Sequence, residues 1–311
     1  MDSRELTREV RRFKKIVIWG LRKRWHTHRF IHAGFYHTLK KLDIPVVWVE
    51  DEKKNASIIE TGDLVISSEV YGRMVPKKET RADYALPIKN GVSYALHNYQ
   101  KMFTERIPAE AHLNFFVYEK TAEQYEKISD AVFFDRAQRS LYQPWGTPLL
   151  PEEFKKPIFS NVSRVFWVGS IWNNELNQGN LYEIEKLTQA LKRREMQFIH
   201  TRFIPDWLHV LLIRHSRLAP AIAGRYQVDI GYLPCRMFKN VSYGQLGFSN
   251  VQKFNDLFRD CAIYEPDIDR MVDRVVSLSG PEYREIVSRQ QEVCKRYTYV
   301  QYLRNIIRFL G

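Results

Sequence analysis

Two short apolar runs that end in glycine constrain the fold of this chain most strongly. Residues 16–19 (IVIW) precede Gly20, and residues 165–168 (VFWV) precede Gly169. A short, continuous apolar run is typical of a buried strand in a parallel sheet. Each run is followed by a polar loop, a helical pattern and a second strand, which is the order of a βαβ unit. The sequence therefore predicts an α/β fold with two units, each built on an open parallel sheet.

A proline-rich stretch separates the two units. Residues 143–157 contain four prolines, which neither a helix interior nor a central strand accommodates. This stretch predicts a linker, with a first domain at 12–150 and a second at 158–295. Ligands of such sheets bind beyond the carboxyl ends of the strands, so we look for site residues in the loops that follow strands.

The composition is that of a folded, basic protein. Hydrophobic residues make up 44% of the 311 residues, which excludes a disordered chain. The formal net charge of +12 fits an anionic partner, namely a nucleic acid, a nucleotide ligand or an acidic membrane surface. Lys and Arg are spread along the whole chain, which weakens the case for a nucleic acid.

Cysteine usage and hydropathy point to the cytoplasm. The three cysteines are widely spaced, so neither a disulfide framework nor a zinc ribbon is indicated. No secretory signal is visible, and no apolar run is long enough for a membrane span. The basic residues 1–15 either contact a membrane surface or form a solvated arm.

The segment 217–250 carries the strongest signal for a ligand. We interpret it as an irregular segment with four cations among several glycines, and a helical pattern follows from residue 251. Cations, small residues and backbone N–H groups ahead of a helix start are what a diphosphate needs. We predict that the phosphate ligands are Lys239, Asn240, Ser242, Tyr243, Gly244 and Asn250, with Arg202 and Arg217 in support. The competing interpretation is an ordinary junction between a loop and a helix.

The polar loop after Gly169 is a second candidate part of this site. Ser170, Trp172 and Asn173 lie where an α/β domain approaches the phosphates or the sugar of a nucleotide. Neither GxGxxG nor GxxxxGK[ST] occurs, so a dinucleotide fingerprint and a P-loop are both absent. The asparagine also fits a loop that holds no ligand.

Histidines gather after the first apolar run. His28 and His32 are four residues apart and share one face of the predicted helix 27–41, and His26 lies just before it. They fit a metal pair, a general base at the mouth of the first strand, or a plain helix start. We predict no metal site, because a third ligand is not evident.

Carboxylates also follow predicted strands. Asp51 and Glu69 each lie just beyond a strand end, where they could take a proton from an acceptor or bind its hydroxyl. Such residues are equally common as helix caps and turn formers. As catalytic base we rank His28 ahead of His26, Glu69 and Asp51.

Asp267 and Asp269 form a DxD pattern, which some sugar transferases use to bind a divalent metal. Pro266 leads directly into a helical pattern here. We therefore predict that Asp267 is the N-cap of a helix.

The chain resembles nucleotide-sugar-dependent glycosyltransferases of the GT-B type over most of its length. The resemblance is carried by HTHRFIHAGFYHTLKKLDIPVVWVED, QPWGTPLLPEEF, VFWVGSIWNN and YLPCRMFKNVSYGQLGFSN. The tail RYTYVQYLRNII is similar to the closing helix of CgeB-like transferases, although Arg296 stands where their HTY tripeptide has histidine. Transferases of viral and bacterial glycan gene sets share the likeness.

The resemblance implies two Rossmann-like domains that face each other across a cleft, with residues 296–311 forming a helix that packs back on the first domain. It implies that the second domain binds a UDP- or GDP-sugar and that the first binds a glycan or a related acceptor. It also implies catalysis without a metal or cofactor. We therefore expect transfer of a sugar to a hydroxyl, with no nucleic acid as partner, in the cytoplasm (the host's, if the source is viral).

Two alternatives stay open at this point. One is another nucleotide-sugar enzyme, such as an epimerase of similar architecture. The other is a basic nucleic-acid-binding protein, which predicts Arg and Lys clustered with aromatic residues on one face. For a transferase, inversion and retention also stay open, and a retaining reaction needs no base.

Overall fold

The computed structural model describes residues 3–23, 27–67, 86–99 and 104–310, which form two compact units. Unit 1 contains the described residues up to 117, residues 125–143 and the residues from 299 onward. Unit 2 contains residues 118–124 and 144–298. The last helix therefore belongs to the first unit, as the resemblance implied. The short excursion of residues 118–124 into unit 2 has no signal in the sequence.

The described ranges contain strands and α-helices in alternation along most of the chain. The strands are β1 (Ile16–Trp19), β2 (Val46–Val49), β3 (Leu64–Ser67), β4 (Ser93–His97), β5 (His112–Val117), β6 (Glu126–Ser129), β7 (Val132–Asp135), β8 (Ser140–Gln143), β9 (Arg164–Val168), β10 (Gln197–Thr201), β11 (Ala219–Pro220), β12 (Gly247–Ser249) and β13 (Ile263–Tyr264). The helices are α1 (Ser3–Val10), α2 (Thr27–Lys41), α3 (Leu181–Lys192), α4 (Asp206–Arg214), α5 (Arg225–Asp229), α6 (Cys235–Ser242), α7 (Gln252–Phe258), α8 (Ile268–Val276), α9 (Gly280–Cys294) and α10 (Tyr299–Phe309). Among them, no helix is both long and apolar enough to cross a bilayer.

Unit 1 is built on one eight-stranded sheet in the order β2-β1-β3-β4-β5-β8-β7-β6. The first six strands in this order run parallel, and β7 and β6 continue the sheet antiparallel. All four residues of β1 and of β3 are buried, which explains their continuous apolar sequence. The strand order reverses between β1 and β3, and a ligand site in such a sheet is expected at that edge.

Unit 2 has two parallel sheets, β10-β9 and β11-β12-β13. A backbone hydrogen bond of 2.7 Å from the Arg217 N–H to the Arg164 carbonyl joins the chain before β11 to the start of β9. Helices α3, α8 and α9 cover the strands with apolar residues such as Leu187, Val272 and Val287. Buried apolar surface of this kind is the main source of a domain's stability.

Local signals account for the ends of several helices. The Asp267 carboxylate accepts hydrogen bonds from the backbone N–H groups of Asp269 and Arg270, so it caps α8 as predicted. The Asp269 carboxylate is held 2.7 Å from Arg193 and from Arg194. In the DxD pattern, Asp267 therefore caps a helix and Asp269 forms ion pairs with two arginines.

The interpretation of residues 217–250 as an irregular segment is wrong. These residues form β11, α5, α6 and β12, and Lys239 lies in the last turn of α6 rather than ahead of a helix start. The sequence CRMFKNVS lacks a clean apolar period because Lys239, Asn240 and Ser242 are buried in spite of their polarity. A helix that buries polar residues is not visible to a pattern of apolar positions.

Candidate functional site

The first turn of α6 lies against the carboxyl end of β9. The Arg236 guanidinium is 3.7 Å from the centre of the Trp167 ring, and its Nε and Nη2 donate to the Val168 carbonyl at 3.3 and 3.2 Å. A Cβ on Gly169 would lie only 2.2 Å from Arg236 Nη2, and the φ of this glycine is +138°. The glycine that ends the strand is therefore required for the arginine to reach the edge of the sheet.

Burial changes the electrostatics of this arginine. Loss of water around the guanidinium lowers the pKa of Arg236 to about 10, against small opposing effects of Cys235 and Tyr232. The group therefore remains charged at neutral pH. It carries a full positive charge at the carboxyl edge of unit 2, next to the start of a helix whose dipole adds to the positive potential.

Lys239 lies three residues further along α6 and is almost completely buried. Only 6% of the residue is exposed. Its ammonium has neither a hydrogen bond nor an ion pair to any residue in the described ranges. No described group opposes its charge, so an anionic ligand could pair with it.

His209, on the buried face of α4, belongs to the same cluster. Burial, followed by the charges of Lys239 and Arg236, lowers the pKa of His209 well below its usual value of 6.5. Its Nε2 is buried and has no hydrogen-bond partner within the described part of the chain. The imidazole is therefore neutral at pH 7 and has one ring nitrogen available to a ligand.

Tyr243 closes the cluster from the end of α6. Its ring meets the His209 ring edge-on, with 5.4 Å between the centroids. Burial raises the pKa of Tyr243 well above 10, so the phenol stays protonated and can donate a hydrogen bond. We call Arg236, Lys239, His209 and Tyr243 the basic cluster.

Sequence reasoning found only part of this cluster. Lys239 and Tyr243 are among the predicted ligands, but Arg236 and His209 are not. The signal for His209 is a single histidine in the apolar run 207–213. Its position on the buried face of α4 is known only from the packing.

Several other predicted ligands of unit 2 are engaged in holding the fold. Ser242 Oγ donates to the Lys239 carbonyl and is paired with Thr147 Oγ1, both at 2.8 Å. Asn240 Nδ2 donates to the Ala219 carbonyl at 2.9 Å. These side chains brace α6 against its neighbours.

Asn250 and Gly244 also have structural partners. The Asn250 amide forms a two-way bridge of 2.9 Å hydrogen bonds to the backbone of Ala223. Gly244 has a φ of +86°, and a Cβ there would lie 2.4 Å from the Lys156 carbonyl oxygen. It follows the carboxyl end of α6, so it offers no helix N-terminus to a phosphate.

The two supporting arginines lie at different ends of the unit 2 strands. Arg217 precedes β11 and donates to Ser160 and Asn161, with its guanidinium 4.4 Å from the centre of the Phe159 ring. It is therefore at the amino edge and not with the basic cluster. Arg202 follows β10 at the carboxyl edge and is exposed.

The loop after β9 is organised by Asn180. Its Oδ1 accepts from the Trp172 N–H at 3.1 Å, and its Nδ2 donates to the Ser170 carbonyl at 3.3 Å. Asn173 Oδ1 accepts from the Gly179 N–H at 3.2 Å. The Asn173 amide thus shapes the loop, while the Trp172 side chain is exposed. The loop holds Ser170 just beyond Gly169, at the same edge as Arg236.

Unit 1 carries histidines at its own carboxyl edge. His28 lies in the first turn of α2, and its ring is 4.4 Å from that of His97 at the end of β4. His97 Nδ1 is 3.2 Å from His32 Nε2, and both of these residues are fully buried. The structure therefore brings two of the predicted histidines together with a third that the sequence did not single out. Within the described ranges, no group of three or more His, Cys, Asp or Glu side chains has a geometry that could hold a metal ion.

Of the other predicted bases, only Asp51 lies within the described residues. Asp51 follows β2, is half-buried and contributes to raising the pKa of Tyr99, an effect dominated by burial of the phenol. His26 and Glu69 lie outside the described residues.

Comparison with solved structures identifies the fold. The chain is similar to an α-glucosyltransferase in complex with UDP and a 13-mer DNA containing an HMU base, with a TM-score of 0.61, 10% sequence identity, and coverage of 94% of this chain and 99% of the other. It is also similar to an α-glucosyltransferase in complex with UDP-glucose and DNA containing an abasic site, with a TM-score of 0.55, 11% identity, and coverage of 92% and 95%. No family model matches the sequence, and no curated protein matches it.

At this level of identity the likeness shows the fold, which is that of two Rossmann-like domains as in GT-B glycosyltransferases. The α/β fold class predicted from the sequence is confirmed.

Proposed function

We propose that this protein is a glycosyltransferase that moves a sugar from a nucleoside diphosphate sugar to an acceptor hydroxyl. The observation that carries the proposal is the pair of cations Lys239 and Arg236 beside His209 in a Rossmann-like unit, with Lys239 in no described hydrogen bond or ion pair. Two cations and a neutral imidazole match the charge and the acceptor oxygens of a diphosphate. The fold shared with glycosyltransferases supports the same conclusion.

The basic cluster would act mainly on the leaving group. As the bond between the sugar and the diphosphate breaks, negative charge grows on the diphosphate oxygens. Lys239 and Arg236 would stabilise that charge, and the His209 and Tyr243 donors would add hydrogen bonds. These groups are already in place before the reaction, so little reorganisation is needed. We propose on these grounds that the reaction needs no divalent metal and no cofactor.

On the acceptor side, we propose His28 as the base of an inverting transfer. It lies at the carboxyl edge of unit 1, where its ring could accept a proton from an acceptor hydroxyl. A retaining transfer would need no such base. The anomeric configuration of the product, measured by NMR, separates the two mechanisms.

The donor test is thermal unfolding with UDP, GDP and their sugars. A ligand that binds only the folded state stabilises it by about 2.7 kcal/mol at a hundred times its Kd, so a true donor raises the Tm. Turnover of the same nucleotide sugars, with and without EDTA, tests the transfer and the absence of a metal. No stabilisation by any nucleotide or nucleotide sugar would refute the proposal.

The acceptor we propose is a glycan or a related hydroxyl compound, and DNA is a second candidate. The net charge of +12 favours a polyanionic acceptor. The two α-glucosyltransferase structures named above both contain DNA. The test is transfer of labelled sugar to a DNA duplex carrying an HMU base, beside the same duplex with an unmodified base and a set of oligosaccharides. Label on the HMU duplex alone would replace the glycan proposal with DNA modification.

A further inference from the structure

One face of α4 exposes large apolar side chains to solvent. Trp207 is 68% exposed and Leu211 is 44% exposed, and one helical turn separates them. Phe203, in the turn before the helix, is 39% exposed. The opposite face of the same helix is buried through His209 and Ile213. We call Phe203, Trp207 and Leu211 the apolar ridge.

Cations frame the apolar ridge at both ends. Arg202 is exposed directly before Phe203. Arg214 Nη1 donates to the Lys156 carbonyl at 3.1 Å, which places the exposed Lys156 at the carboxyl end of the helix. Lys155, its neighbour in the chain, is exposed as well. On α4 itself, Asp206 is the one acidic residue.

We propose that the apolar ridge docks on an anionic lipid surface. Tryptophan favours the boundary between headgroups and acyl chains, and leucine favours the acyl region just beneath it. Flanking cations are attracted to the negative potential of anionic lipids. A helix of nine residues lying in the plane of the interface would place both side chains in the lipid and the cations at the headgroups.

Charge complementarity favours lipid over two other occupants. A second copy on a two-fold axis would bring the same cations face to face, which opposes self-association. A nucleic acid would be attracted by the cations, but aliphatic Leu211 offers no ring on which a base could stack. An anionic membrane satisfies both the apolar side chains and the charges.

The experiment is vesicle flotation of the full chain. Vesicles of phosphatidylcholine, with and without phosphatidylglycerol, are compared at low and high salt. The expected result is binding to the anionic vesicles that weakens as salt increases. The double variant Trp207→Ser, Leu211→Ser should bind these vesicles about tenfold more weakly, because the lipid-facing area is lost.

Leu176→Ser is the matched control. Leu176 is 74% exposed in the loop after β9 and is not part of the apolar ridge, so its removal should leave flotation unchanged. Thermal unfolding of each variant checks that it is folded. Nucleotide-induced stabilisation is recorded for each as well. A variant that loses this stabilisation has a damaged donor site, and that result says nothing about docking.

Three results would overturn the docking proposal. The first is absence of binding to anionic vesicles by the unaltered chain. The second is equal binding by the double variant and the control. The third is self-association or oligonucleotide binding that the double variant abolishes while vesicle binding is absent, which would assign the apolar ridge to another occupant.

Discussion

The carboxyl edges of the two units differ in the charge of their polar side chains. In unit 1, His32 and His97 contact each other at 3.2 Å, and Ser67 and Tyr99 at 2.6 Å. In unit 2, the buried Lys239 faces an imidazole and a guanidinium and has no described counter-charge.

Two cations close together repel each other, and an anion between them would relieve that repulsion. The comparison therefore supports the proposal that unit 2 binds the anionic donor. The imidazoles of unit 1 are residue types suited to proton transfer.

Removing His28 tests the role of unit 1 and has the largest expected effect. His28→Ala should lower kcat by about 10²–10⁴-fold, the usual contribution of a general base, with little change in donor KM. His37→Ala is the control, because His37 is exposed on the same helix. If His28→Ala keeps the wild-type rate and the product has retained configuration, His28 is not a catalytic base.

Removing the unmatched charge tests unit 2. Lys239→Met keeps the volume and most of the packing of the side chain. It should weaken nucleotide affinity by about a hundredfold, equivalent to about 2.8 kcal/mol, as measured by the nucleotide-induced rise in Tm. The Tm without nucleotide should change little, because the lysine has no described hydrogen bond or ion pair to lose.

Lys192→Met is the control for this change, since Lys192 is exposed at the end of α3. A large loss of stability in Lys239→Met without nucleotide would show that the lysine serves the fold. Unchanged nucleotide affinity would show that the basic cluster is not the anion site.

Gly169→Ala tests whether the end of β9 positions Arg236. The new methyl group would enter the space of the guanidinium, and the φ of +138° is unfavourable for alanine. We expect a loss of about 1–3 kcal/mol in the free energy of unfolding and a weaker nucleotide response.

Gly62→Ala is the control, because it shares a positive φ of +89° but meets only Lys14 Cβ, at 3.7 Å. It should cost about 1 kcal/mol through backbone strain alone, with an unchanged nucleotide response. If nucleotide raises the Tm of both variants equally, Gly169 has no role in positioning the nucleotide site.

The pH dependence of stability gives the smallest effect. The pKa of His209 is well below 6.5 in the folded protein and returns to its ordinary value on unfolding. Below pH 6.5 the unfolded chain therefore binds a proton that the folded chain does not, and stability falls as the pH falls. The slope from this residue is at most about 1.4 kcal/mol per pH unit. Chemical unfolding of the native protein and of His209→Gln between pH 7 and pH 5 should differ by this slope, and identical slopes would contradict it.

Local pattern was sufficient for many elements. The sequence predicts a helix at 27–41, strands that end at Gly20 and Gly169, and Asp267 as a helix cap, and the structure contains each of them. These features depend on apolar periodicity and capping, which involve residues close in the chain. Helix α6 was missed because it buries polar residues. The hydrogen-bond partners of Asn240 and Ser242, which allow this burial, lie far away in the sequence.

The two α/β units, their Gly-ended first strands and the segment that holds Lys239 could be predicted from sequence. Three features became visible only in the folded chain. Arg236 reaches the end of β9, His209 lies beside Lys239, and the side chains of Ser242, Asn240 and Asn250 brace the backbone. The two groups of features differ in the sequence distance over which they are set. Periodicity and capping act within a few residues, whereas the burial and charge of a side chain are set by groups that folding brings from far along the chain.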